Sequence, residues 1–134
     1  MLVKWENRYS VGVDIIDEQH KTLLNLINRL HSSMLEGLGK TKVFVTLQEL
    51  ASYSMVHFKT EEKMMEEVTY FDIENHKKEH ESFKYDIASF IIKQQAGEPF
   101  IAQEVLTFLH EWVIDHITEI DSKYKPYVSK LNSE

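Results

Sequence analysis

Cysteine is absent from the 134 residues, which excludes disulfides, iron-sulfur clusters, thiolate zinc sites and thiol nucleophiles. Any metal here must be held by nitrogen and oxygen. Glycine and proline are scarce, at four and two residues, which suits a few long elements. The expected fold is all-α. Nowhere do roughly eighteen apolar residues run together, and Met1-Leu-Val-Lys-Trp-Glu6 lacks a basic segment followed by an apolar one. The expectation is a cytoplasmic protein without membrane insertion. A net charge of -7 argues against nucleic acid or an anionic membrane as partner, and Lys77 and Lys78 are flanked by Glu74, Glu79 and Glu81.

The 43% hydrophobic content is that of one globular domain with a real core, expected to occupy 1–134. Residues 1–16 read as an extended arm, because Trp5 and Tyr9-Ser-Val-Gly-Val-Asp-Ile-Ile16 carry no helical stripe. Asp14 or Asp17 is expected to cap a first helix with Leu23, Leu24, Ile27, Leu30, Met34 and Leu35 on its buried face, closed by Gly37 and Gly39. Thr41 is expected to cap a second helix, with Phe44, Leu47, Leu50, Ala51, Ser54, Phe58, Met64 and Met65, ending near Val68-Thr-Tyr70. A third starts at Asp72 or Asn75, carries Phe83, Ile87, Phe90 and Ile91, and ends at Gly97-Glu-Pro99; a fourth takes Ile101, Val105, Phe108, Leu109, Trp112 and Val113. Four such helices joined by short loops predict an up-down-up-down antiparallel bundle over about residues 17–120, with a tail over about 121–134 that adds a helical turn or two.

Histidine placement is the informative feature. His57 and Glu61 are four residues apart, about 400° of helical rotation, so their side chains lie only about 40° out of line. His76 and His80 repeat that spacing. His20 comes early in helix one, His57 late in helix two, His76 early in helix three and His116 late in helix four, so antiparallel packing brings all of them to one end. Singly, each reads as a core or rim histidine satisfied by a backbone carbonyl. Together, five imidazoles with Glu61 and Asp121 at one level would leave buried polar groups unsatisfied without a cation. His116 and Asp121 are five apart, about 140° out of line on an ideal helix, so the helix is expected to end, tighten or bulge between Ile117 and Ile120. His31 and His110 miss this level and read as structural or exposed. Spacing alone leaves the metal open, since histidine with carboxylate suits zinc and manganese as well as iron.

The set Asp17-Glu-Gln-His20, His57-x-x-x-Glu61, His76-x-x-x-His80 and His116-x-x-x-x-Asp121 resembles the ligand signature of the hemerythrin family. The arm Trp5-x-x-x-Tyr9-Ser-Val-Gly-Val-x-x-Ile-Asp17 resembles its bacterial branch. That resemblance implies a non-haem di-iron centre with an oxo or hydroxo bridge, and O2 as ligand. His76, His80 and His116 would hold one iron, His20 and His57 the other, and Glu61 and Asp121 would bridge them. Trp5, Phe58, Trp112, Val113 and Ile117 match positions of the family's oxygen pocket, and Tyr124 a tyrosine near the site. The implied role is reversible oxygen binding for carriage, storage or delivery rather than catalysis, with an oxygen-consuming partner protein of unknown identity. The alternatives are an oxygen or redox sensing module, or a di-iron enzyme handling peroxide or nitric oxide.

Overall fold

The computed structural model describes residues 2–36, 39–97 and 101–128, leaving undescribed the side chains of 39–43, 101 and 102. Helix α1 spans Asp14–Leu35, α2 Gly39–Glu67, α3 Ile73–Gln95 and α4 Ile101–Asp115. A π turn, His116–Ile120, and a 3-10 turn, Asp121–Tyr124, then lead into the short α5, Lys125–Val128. No strand occurs among the described residues, nor is any helix long and apolar enough to cross a membrane. Each long helix packs on its neighbours in sequence and α1 closes on α4, forming the up-down-up-down four-helix bundle. The apolar stripes meet in one large cluster that includes Leu23, Ile27, Leu30, Leu47, Leu50, Phe83, Val105 and Leu109.

Several local expectations give way to longer-range bonds. Val13, not an aspartate, is the N-cap of α1, and no side chain caps it. Asp17 instead reaches back to the arm, where it accepts from the Ser10 hydroxyl and from the Val11 N–H at 2.8 Å. The carboxylate thus satisfies arm donors that an extended chain leaves open. Further along, Asn28 fastens Val3 by donating to its carbonyl at 2.7 Å and accepting from its N–H at 2.9 Å. The arm is not wholly extended, since Asn7–Tyr9 forms a 3-10 turn, and α1 already begins at Asp14. Gly39 and Thr41 lie inside α2 rather than between helices. Gly37, Glu98 and Pro99 fall outside the described residues. Gly97, at φ 76°, follows the end of α3 as expected.

Asp72 stands at the N-cap of α3, but its carboxylate accepts from the Asn75 amide at 2.7 Å rather than capping the helix.

Helix α2 closes at the expected place by a less ordinary route. Tyr70 N–H reaches Met65 C=O at 3.0 Å and Thr69 N–H reaches Glu66 C=O at 3.2 Å, the paired bonds of a Schellman ending. Its left-handed position is filled by Thr69, at φ 54°, where glycine is the usual occupant. A β-branched residue there is strained by about 1–3 kcal/mol. Thr69→Gly is therefore expected to raise stability by about 1 kcal/mol, net of the extra chain entropy glycine loses on folding. Urea unfolding of the two proteins measures the difference.

Candidate metal centre

All seven sequence-predicted ligands converge at one end of the bundle, and all are buried. Their donor atoms form two overlapping groups. Glu61, His76, His80, His116 and Asp121 make one, and His20, His57, Glu61 and Asp121 the other, with the atoms of each group within 4.8 Å of one another. Glu61 and Asp121 belong to both. His31 and His110 join neither group and are half-buried.

The π turn aligns the last pair. The wider π turn closes an i to i+5 bond, from the Asp121 N–H to the His116 carbonyl, and so draws positions i and i+5 toward one face. His116 Nε2 and Asp121 Oδ1 come within 2.9 Å, so the expected bulge is there. Hydroxyls occupy carbonyls along this stretch: Thr118 donates to Ile114 at 2.8 Å and Ser122 to Thr118 at 2.6 Å.

Two residues that spacing did not single out orient the imidazoles. His57 Nδ1 donates to Gln19 Oε1 at 2.7 Å, and His80 Nδ1 donates to Glu62 Oε2 at 2.7 Å. With its proton on Nδ1, each neutral ring turns a lone pair on Nε2 toward the centre. Gln19 adjoins His20 and Glu62 adjoins Glu61, but each lies about 100° round its helix from that neighbour, so no periodic signal marks them. Tyr124 donates to Glu61 Oε2 at 2.9 Å.

The donor set fits a cation. His20 Nε2 lies 3.0 Å from Asp121 Oδ2, and His76 Nε2 and His116 Nε2 each lie 2.9 Å from Asp121 Oδ1. None of these contacts has hydrogen-bond geometry: both Asp121 oxygens, with His20 Nε2 and His116 Nε2, are buried without a hydrogen-bond partner. Close approach without alignment is the arrangement of atoms aimed at a common point between them. His80 sharpens this, because its Nε2 sits 2.9 Å from Glu61 Oε1 while its Nδ1 proton is engaged by Glu62. Two lone pairs at that distance repel unless a proton or metal lies between them. Nitrogen-rich donors with two carboxylates suit a first-row divalent metal.

Around the donors, Phe58 stacks on His80 with centroids 3.9 Å apart, and Trp112 stacks on His116 at 4.3 Å. Phe58, Val113 and Ile117 are buried in the large cluster, while Trp5 packs against it from the arm with Tyr9 at 5.7 Å.

With protons alone balancing the carboxylates, burial opposes charge on His20, yet Asp121 and Glu61 prevail and push it up to about 9. Burial is likewise outweighed at His76, which Asp121 and Glu61 push up to about 10. Burial prevails at His57, pushed down to about 3 and so neutral. Glu61 is held well below the usual carboxylate range despite its burial, by His116, His20 and their neighbours. Metal must therefore displace protons from His20 and His76. Since both folded-state values lie above neutral pH, affinity is expected to weaken as pH falls below them, about tenfold per unit for each proton displaced. Chelator competition at two pH values, with proton release followed by an indicator dye, measures this.

The family profile of the hemerythrin HHE cation binding domain matches residues 11–128. A bacteriohemerythrin of Stenotrophomonas maltophilia (strain R551-3) is 34% identical over 127 residues, covering 95% of this chain and 82% of that one. One from Methylococcus capsulatus is 32% identical over 121 residues, covering 90% and 92%. The crystal structure of a wild-type hemerythrin superposes with a TM-score of 0.88 at 32% identity, covering 96% of this chain and 99% of that one. Its histidine and carboxylate cluster, its bundle and these relatives agree: the chain belongs to the hemerythrin family.

Proposed function

We propose that this chain, acting as one domain, binds dioxygen reversibly at a pair of iron ions and serves as an oxygen carrier, store or delivery protein. His76, His80 and His116 would hold one ion and His20 and His57 the other, with Glu61 and Asp121 contributing to both. The observation that carries this reading is the overlap of two buried donor groups, one with three imidazoles and one with two, sharing both carboxylates. The two-imidazole ion would have fewer protein donors and so a position for a small ligand. When bound, such an iron pair, with its oxo or hydroxo bridge, supplies the electrons and the open position that reversible oxygen binding requires. Relatives named bacteriohemerythrin support the assignment.

The chain's own groups do the rest. Gln19 and Glu62 fix the tautomers of His57 and His80. Tyr124 holds Glu61 Oε2 by its hydroxyl. Phe58, Trp112, Val113, Ile117 and Trp5 would wall the oxygen pocket; they belong to one apolar cluster or pack on it, which keeps water from the bound ligand. Five neutral imidazoles supply less anionic charge than the carboxylate-rich sets of oxygen-activating di-iron enzymes. High oxidation states are less stabilised, and binding is favoured over substrate oxidation.

Iron-reconstituted protein, reduced without air, is expected to change its visible absorption on aeration and to return when oxygen is removed. A spectrum indifferent to oxygen, or one iron per chain, overturns the reading. Glu61→Ala is expected to lose most of its iron and much of its thermal stability, because metal binding and folding are linked. Unchanged iron content in that variant counts against a shared carboxylate.

A further inference from the structure

Aromatic rings form a continuous path from the ligands to the surface. Tyr124, fully buried, donates its hydroxyl to Glu61 Oε2 at 2.9 Å and stacks on His76 with centroids 5.8 Å apart. Tyr70, 3% exposed, follows at 6.1 Å from Tyr124, and Tyr127, 38% exposed, lies 5.1 Å beyond Tyr70. Phe71, 78% exposed, packs on both Tyr70 and Tyr127. Three oxidisable phenols in sequence thus join a shared carboxylate to water.

We propose that Tyr124, Tyr70 and Tyr127 form a relay through which oxidising equivalents leave the centre, one electron at a time, when it meets hydrogen peroxide. The relay rests on the iron-binding reading above, and its purpose is to spare the imidazole ligands. A phenol that loses an electron becomes a strong acid, so its proton must leave as well. For Tyr124 the acceptor is Glu61 Oε2, already hydrogen bonded to it. When Tyr70 supplies the next electron, that proton returns and Tyr124 is restored. Tyr70 lines a cleft of about 360 Å³ with Asp72, Lys78 and Lys123, which gives its own proton a way to water. Tyr127 releases its proton directly to solvent.

The step balances. Peroxide takes two electrons and two protons, its O–O bond breaks, and two waters form. The first equivalent leaves as a Tyr127 radical that takes a hydrogen atom from Tyr127 of a second chain. The second equivalent then removes an electron and a proton from the first chain's restored Tyr127, and coupling of the two rings forms one carbon–carbon bond. One peroxide is consumed for each coupled pair. A one-electron reductant such as a thiol or ascorbate would return Tyr127 to the phenol before coupling.

Trp112 is the rival exit, since it stacks on His116. The hydrogen bond favours Tyr124, because it couples proton to electron at the first step. Tyr85 supplies the internal control: at 76% exposure it is twice as open as Tyr127, and it stacks on no relay ring among the described residues. Radicals diffusing in solution would modify it first.

Protein of measured iron content, treated with hydrogen peroxide and mapped by peptide mass spectrometry, is expected to carry oxidation or coupling at Tyr127, with little at Tyr85. Tyr70→Phe, which keeps the ring and removes only the hydroxyl, is expected to retain iron and to lower Tyr127 modification to the level of metal-free protein. Preferential modification of Tyr85 or Trp112, or Tyr127 modification unchanged in Tyr70→Phe, overturns the relay. The oxygen-dependent spectrum of the same sample separates the two ideas. Relay chemistry without that spectral response would remove reversible oxygen binding alone, and the converse would remove the relay alone.

Discussion

Two carboxylates buried side by side constrain everything else in this protein. Glu61 and Asp121 are both fully removed from water, and two like charges in that setting are untenable without compensation. Five imidazoles supply part of it, as proton carriers or as neutral ligands around a cation. The bundle gives up apolar packing at this level to do so. Its interior is polar here, bounded by the large cluster on one side and by a smaller one, with Val11, Ile16, Met65, Tyr70 and Tyr124, on the other. Sealed between apolar layers, the polar groups interact in a low dielectric, where a full set of partners is strongly stabilising and an incomplete set is costly.

That constraint explains why so many distant segments end at the same place. The start of α1 brings His20 and, through Asp17, fastens the arm that carries Val11 and Val13 into the smaller cluster. The turn after α2 directs Tyr70 inward against Tyr124 and His76. The short helices after the π turn place Tyr124 and Val128 over the end of the bundle. Ligand geometry and the closing of the hydrophobic end are therefore one packing problem.

The sequence made the long elements and the ligands legible because both rest on helical periodicity. His57 with Glu61 and His76 with His80 announce a shared face, and alternating early and late positions announce a shared height. The five-residue gap from His116 to Asp121 was readable as a distortion for the same reason: an ideal helix could not reconcile it. Helix caps were less legible. Asp17 has every local property of a cap, but the arm offered donors that local propensity does not count. Thr69 would not be chosen for a left-handed position; it is exposed, and the paired backbone bonds that end the helix, with Tyr70 buried next to it, hold it there. Gln19 stands within the Asp17-Glu-Gln-His20 run and Glu62 beside Glu61, but their roles toward His57 and His80 were not legible, because second contacts of a ligand follow from how rings face one another across helices.

The π turn has a consequence for how the ligand set is written in the chain. A π turn is an α-helix carrying one additional residue, so removing any one residue between His116 and Asp121 would leave His-x-x-x-Asp, the spacing already used by His57 with Glu61 and His76 with His80. The three ligand pairs are variations on one helical motif, and the fourth helix departs from it by a single inserted position. That insertion rotates everything downstream by about 100° relative to the upstream helix. The same rotation sets the direction in which the chain leaves the ligand, and hence where Tyr124 and Tyr127 fall. A one-residue change of reading frame within the helix thereby fixes both the carboxylate and the aromatic cover above it.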